Sequence, residues 1–301
     1  MNYYNEIKNK LIDNEVYKRV KDYSKNRNEL STYYEVGRLL IEAQGGENRA
    51  KYGNGLIKEY SKRLTSELGK GYTFTALSRM RQFYVLSEKV ATLSQQLSWS
   101  HYSELLSLND VNEINYYISI TESYNLSVRE LRERIKNKEY QRLDDNTKLK
   151  LVNKEEVNVN DFIKNPIIIK DRLGIDKENI SEKILQRLII EDVEGFMKEL
   201  GDGFCFIGSE YKIKIGNTYN YIDLLLFNYI YNCFIVIELK VCELKKEHIG
   251  QIEVYMNYID RHIKSINQDK TIGIIISRRD NHYYIEYSSD NRILTREYII
   301  S

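Results

Sequence analysis

Two apolar stretches close together in the chain each contain charges that a buried strand cannot hold alone. They are Tyr221-Ile222-Asp223-Leu224-Leu225-Leu226-Phe227 and Phe234-Ile235-Val236-Ile237-Glu238-Leu239-Lys240. Both have the length and β-branched, aromatic character of buried strands, and only a short connection separates them. A charge in such a strand costs several kcal/mol unless it is paired or binds a metal. Any fold of this chain must therefore bring Asp223, Glu238 and Lys240 together or neutralise them separately. Alternate residues of a strand share a face, so Glu238 and Lys240 point the same way, and an adjacent strand end can add Asp223. Two explanations fit: an ion-pair network at a sheet end, or a divalent-metal site that hydrolyses phosphodiesters.

The second explanation assigns each residue a task. Hard cations such as Mg²⁺ take oxygen ligands, usually one or two carboxylates with waters and substrate oxygens. Such a cation acidifies a bound water and screens the transition-state charge. Asp223 and Glu238 are the candidate ligands, and the backbone carbonyl of Leu239 is a further oxygen. Lys240 would position or deprotonate the attacking water and offset the charge that develops on phosphorus. Mg²⁺ is the expected cofactor, with Mn²⁺ as a substitute.

The rest of the chain reads as two regions. Residues 1–145 are expected to be helical. Leu56, Ile57, Tyr60, Leu64 and Leu68 recur at helical spacing before Gly69-Lys70-Gly71, and a second helix from about Thr75 carries Leu77, Met80 and Tyr84. Ser127-Val128-Arg129-Glu130 fits a capping box. Residues 146–156, charged and poor in apolar side chains, read as a linker. The region 157–301 is expected to hold a helix from about 181 to 200 and strands near 204–207, 211–215, 220–227 and 233–240. A helix over 247–263 and strands near 271–276 and 283–287 complete it. The fold class is therefore α/β, or α+β overall, with an all-helical domain preceding a mixed sheet flanked by helices.

The spacing Ile222-Asp223, then Ile237-Glu238-Leu239-Lys240, resembles the PD-(D/E)xK nuclease signature, with Ile where that motif has Pro. The flanks extend the likeness. Glu199-Leu200-Gly201-Asp202-Gly203-Phe204, Tyr221-Ile222-Asp223-Leu224-Leu225, Val236-Ile237-Glu238-Leu239-Lys240 and Gly250-Gln251 ahead of Tyr255 resemble the YhcG family of bacterial PD-(D/E)xK nuclease-domain proteins. Leu97-Ser98-Trp99-Ser100-His101-Tyr102 and Tyr52-Gly53 resemble that family's other domain, so the likeness runs from about Tyr33 to Tyr298. The resemblance implies a restriction-endonuclease-like core, a divalent metal and a nucleic-acid substrate. It also implies an extra acidic residue from the helix before the first strand, for which Glu191 and Glu194 are candidates. Gln251 is a further catalytic candidate, and Tyr255, one turn later, an accessory one. Gly208-Ser209-Glu210 departs from the family pattern.

Charge is unevenly distributed. Residues 1–150 hold 25 basic against 20 acidic side chains, and 151–301 hold 20 against 24. The helical region is thus the more basic and suits contact with phosphates. If helices 56–68 and 75–86 form a helix-turn-helix, Ser78, Arg79, Arg81 and Gln82 face nucleic acid; the same helices could instead serve a protein partner. Lys245 and Lys246 are further phosphate candidates. DNA is the expected partner, bound by a homodimer or higher homo-oligomer that pairs two sites. The alternative is a non-catalytic DNA-binding or assembly protein that uses the nuclease fold as a scaffold. No apolar run reaches the roughly 20 residues that span a bilayer, and the N-terminus has no signal-peptide core, which suggests a cytoplasmic protein. Cys205 and Cys233 read as small core residues, and the three cysteines show no zinc or disulfide spacing.

Overall fold

The computed structural model describes residues 3–19, 25–45, 54–90, 93–94, 96–175, 180–279 and 290–301. The chain divides into two compact units, Met1–Tyr140 and Gln141–Ser301. No helix among the described residues is long and apolar enough to cross a membrane.

The first unit is helical: α1 Tyr3–Arg19, α2 Lys25–Ala43, α3 Asn54–Leu68, α4 Phe74–Ser87, α5 Trp99–Leu105, α6 Val111–Tyr124 and α7 Val128–Lys136. Helix α4 begins where Thr73 accepts a bond from the Ala76 N–H, and it buries Leu77, Met80, Phe83 and Leu86. Its approach to α2 requires a glycine. A Cβ on Gly37 would lie 2.2 Å from the Met80 carbonyl oxygen and 2.8 Å from the Tyr84 Cβ. Neither is the far end of a flexible side chain, so the helices would have to separate. Gly37→Ala is expected to destabilise this unit by about 1–3 kcal/mol. Trp99 lies edge-on to Tyr33 and Phe83 in the same unit and is the chain's one tryptophan. A thermal melt followed by its fluorescence would therefore show a drop of several degrees, and an unchanged midpoint would contradict the close approach.

The motif around Trp99 has a structural use here. Ser98 and His101 form a capping box at the start of α5. The Ser98 N–H donates to His101 Nδ1 at 3.1 Å, and Nε2 meets the Leu126 carbonyl at 3.0 Å. Ser127 and Glu130 form the expected capping box on α7. Tyr52-Gly53 lies outside the described residues.

The second unit opens with α8 Asp145–Asn153, α9 Val159–Phe162 and β1 Ile167–Ile169. Helix α8 occupies most of the segment that composition suggests is a linker. Its Leu149 and Val152 are exposed, which explains the missing apolar signal. Polar contacts hold it instead: Thr147 Oγ1 donates to Asp161 Oδ1 at 3.3 Å, and Lys150 pairs with the same buried carboxylate at 2.9 Å.

Next come α10 Glu182–Glu191, α11 Val193–Leu200, β2 Phe204–Ile215, β3 Thr218–Asn228, β4 Cys233–Glu243, α12 Lys246–His262, β5 Asp269–Arg279 and β6 Ile293–Ile300. The helix expected over 181–200 is two helices. Asp192 takes a non-helical conformation and caps α11 by accepting from the Gly195 N–H, a local competition that favours caps over helix interiors. The mixed six-stranded sheet has the order β1-β6-β5-β4-β3-β2. β2–β3–β4 are antiparallel, whereas β4–β5, β5–β6 and β1–β6 are parallel. Strands β1 and β6 were not expected; the strand expected over 283–287 lies outside the described residues. One face of the sheet buries Leu224, Leu226, Ile237 and Leu239 with Leu185, Leu188 and Ile189 of α10. The other buries Ile222, Leu225 and Val236 with Ile249, Ile252, Tyr255 and Met256 of α12. Cys233 is buried, but Cys205 is exposed: it lies on β2, which is the edge strand of the sheet among the described residues. Glu199 of the family-like Glu199-Leu200-Gly201 stretch pairs with Arg142 and accepts from the Ile168 N–H at 2.9 Å, so its role is to tie α11 to β1.

Candidate active site

The site forms where two strands part. β3 pairs with β4 from Leu224↔Ile237 to Asn228↔Cys233. Beyond Ile237, β4 continues beside β5, through Glu238↔Ile275, Leu239↔Ile276 and Lys240↔Ser277. Leu239 therefore lacks a β3 backbone partner, and the Asp223 carboxylate takes its place: the Leu239 N–H donates to Oδ2 at 2.8 Å. In an antiparallel ladder a residue's N–H and C=O face the same neighbour, so the Leu239 carbonyl faces this gap too.

Glu238 and Lys240 complete the centre as their two-residue spacing predicts. Lys240 Nζ lies 3.3 Å from Glu238 Oε2. Glu238 is only 1% exposed, and its other oxygen, Oε1, has no hydrogen-bond partner among the described residues. An unsatisfied buried carboxylate oxygen calls for an explanation. Burial, with the nearby Asp223 charge, pushes the Glu238 carboxyl up to about 8, against the weaker pull of Lys240. Burial also raises Asp223, although the Leu239 N–H and Lys240 oppose it. For Lys240, burial alone would lower the pKa, but Glu238, Glu182 and Asp223 outweigh it and hold the ammonium above its ordinary value.

An acidic side chain of α10, Glu182, lies beside this cluster. Its Oε2 lies 3.8 Å from Lys240 Nζ. Four residues later on the same face, Gln186 Nε2 donates to the Asp223 carbonyl at 3.1 Å. Glu191 and Glu194 are not brought to the site. Glu191 lies nine residues after Glu182, about two and a half helical turns, so it falls on the opposite side of α10 and is exposed. Glu194 is on α11, exposed, and paired with Lys198 at 2.6 Å. Glu182 reads in sequence as an ordinary first-turn acid behind the Ser181 cap, complementing the helix dipole. Its spacing to Gln186 was the available signal.

Helix α12 supplies the remaining candidates. Gln251 Nε2 donates to the Tyr255 hydroxyl at 3.1 Å, and Tyr255 is buried in the α12-side core. Lys245 and Lys246 are exposed at the start of the helix, where His248 Nδ1 accepts from the Lys245 N–H at 3.1 Å. Burial and the Lys240 charge lower the His248 pKa. In the first unit, Arg79 and Gln82 of α4 are exposed. Arg81 is half-buried.

Among the described residues no group of three or more His, Cys, Asp or Glu is placed to hold a metal ion. Asp223, Glu238 and the Leu239 carbonyl match the smaller demand of a cation that keeps its waters and uses substrate oxygens. The unpartnered Glu238 oxygen fits that role.

Residues 160–300 match the family described as the YhcG PDDEXK nuclease domain, and residues 9–142 match the DUF1016 N-terminal domain. The Escherichia coli (strain K12) protein YhcG, whose nuclease designation is itself provisional, is 28% identical over 311 residues. That alignment spans 89% of this chain and 82% of the relative. Among solved structures, a repair endonuclease from Pyrococcus abyssi is similar over 41% of this chain and 49% of its own, with 18% identity and a TM-score of 0.29. The EndoMS–dsDNA2 complex is similar over 41% and 48%, with 20% identity and a TM-score of 0.30. The chain thus spans about half the length of those structures.

Proposed function

We infer the function from the premise that this chain belongs to the YhcG family of PDDEXK nuclease-domain proteins, with a DUF1016 N-terminal domain ahead of the nuclease domain. The proposed activity is metal-dependent endonucleolytic hydrolysis of DNA. The observation that carries this reading is the buried Glu238, with one oxygen unpartnered, beside Asp223 and Lys240. A purely structural ion pair would satisfy both oxygens.

Asp223 and Glu238, with the Leu239 carbonyl, would hold a divalent cation, Mg²⁺ or Mn²⁺. When bound, the cation supplies an acidified water and neutralises phosphate charge. The chain's own residues do the rest. The Leu239 N–H fixes the Asp223 carboxylate, and Gln186 fixes the Asp223 backbone. Lys240, surrounded by carboxylates that raise its pKa, stays an ammonium at neutral pH. In the metal-free site it is thus a fixed positive charge, placed to orient water and stabilise the developing anion. Gln251, held by Tyr255, is a candidate contact to water or phosphate. Lys245 and Lys246, and separately Arg79, Arg81 and Gln82, are candidate phosphate contacts. A homodimer with two such sites would allow both strands of a duplex to be cut.

The test is a cleavage screen over duplex, branched and single-stranded DNA with Mg²⁺, Mn²⁺ or EDTA. Cleavage that requires either metal is expected. Salt-sensitive binding without cleavage under any of these conditions would instead favour a nuclease fold retained as a scaffold.

A further inference from the structure

The hairpin that carries Asp223 extends beyond the sheet. From Tyr211↔Ile222 to Ile215↔Thr218, β2 and β3 pair only with each other among the described residues, closing at Gly216. The ribbon is not loose. Ile213 and Ile222 are buried in the α12-side core, with Tyr211 and Ile215 packed partly against it. Its intervening residues form the other face: Lys212 opposite Tyr221, and Lys214 opposite Tyr219. Tyr219 is 53% exposed and Tyr221 52%. Lys212 Nζ lies 3.8 Å from the centre of the Tyr219 ring and Lys214 Nζ 5.9 Å. No carboxylate pairs with either lysine among the described residues. Tyr221 is two residues along β3 from Asp223.

We propose that this ribbon face binds a nucleic-acid strand with unpaired bases and leads it toward the candidate site, so that the substrate is single-stranded or splayed DNA. The argument rests on the nuclease reading for the neighbouring chemistry. Two solvent-exposed rings at alternate strand positions, about 7 Å apart, form a platform on which bases can stack. Stacking is worth about 1–3 kcal/mol per base and is indifferent to sequence. Bases inside a duplex have their faces covered and gain nothing from such rings. The lysines supply compact charges for the phosphates that accompany the stacked bases. Continuity with Asp223 decides between this occupant and a protein strand added to the edge, because a strand added to β2 would use backbone groups and leave both tyrosines idle.

The experiment is fluorescence anisotropy of the full chain in EDTA, with labelled oligo(dT) and a duplex of equal length. Tighter binding of oligo(dT) is expected. The double variant Tyr219→Ala/Tyr221→Ala should weaken oligo(dT) binding at least about tenfold and leave duplex binding within about twofold. Tyr219→Phe/Tyr221→Phe should keep wild-type affinity, because the ring is retained. Lys212→Gln/Lys214→Gln should flatten the salt dependence for oligo(dT). Equal losses for both ligands, or no loss, would overturn the proposal and leave the lysines as guards of an exposed edge. Because EDTA removes the metal, this outcome is independent of cleavage. Ring-dependent binding in a protein that never cuts would sink the nuclease reading alone; metal-dependent cutting without ring dependence would sink the ribbon alone.

Discussion

Glu238→Gln is expected to lower cleavage at least about a hundredfold, since loss of even a group behind the ligands typically costs about 10–100-fold. The same substitution should raise the thermal stability of the metal-free protein. Burial and Asp223 hold the Glu238 carboxyl up to about 8, whereas an unfolded glutamate titrates near about 4.3. A raised folded-state pKa gives stability that is complete below the unfolded value and lost as pH rises through the folded one. In the metal-free wild type the contribution of Glu238 should therefore be lost between about pH 4.3 and 8. Glutamine mimics the protonated carboxyl and never ionises, so the variant should lack this contribution to pH dependence. Its advantage should be greatest near pH 8, on the order of a few kcal/mol, or roughly 5–10 °C in melting temperature. Thermal melts in EDTA at pH 5 and pH 8, followed by circular dichroism, make the comparison. If Glu238 belonged to a structural ion pair, breaking it would cost about 3–5 kcal/mol, and the melting temperature would fall instead.

Lys240→Met should also remove cleavage, but with the opposite effect on stability. Lys240 is the cation that Glu238, Glu182 and Asp223 share. Without it the metal-free protein keeps three carboxylates with nothing between them, a loss of a few kcal/mol. The loss should grow with pH as more of the carboxyls ionise. Added Mg²⁺ should raise the melting temperature of this variant more than that of the wild type, because a divalent charge replaces the missing one. The two variants thus share a loss of activity and differ in the sign of their stability change. A melting temperature indifferent to Mg²⁺ in the wild type and in both variants would sink the metal reading.

What sequence could and could not show follows from the range of the interactions involved. Capping boxes, apolar periodicity and the Glu238/Lys240 pairing are local, so they are legible within a few residues. The break at Asp192 is local as well, but it is a competition between helix interior and cap that periodicity does not detect. Strand β1 is only three residues long and owes its existence to β6, more than a hundred residues away, while β6 is flanked by polar residues and seated between β1 and β5. Helix α8 exposes Leu149 and Val152 and is held by polar contacts from Thr147 and Lys150 to Asp161, which apolar periodicity does not register.

For the site, sequence by itself determined that Asp223, Glu238 and Lys240 had to be reconciled in one place, since charges in apolar strands have few low-energy arrangements. The tertiary structure decided the rest. It parted β3 from β4 so that Asp223 could take the Leu239 N–H, chose Glu182 over Glu191 by the rotation of α10, and left one Glu238 oxygen unpartnered. It also set Tyr219 and Tyr221 on an exposed ribbon leading to that centre. Each of these depends on the direction in which one element faces another, which a periodic pattern along a single chain does not encode.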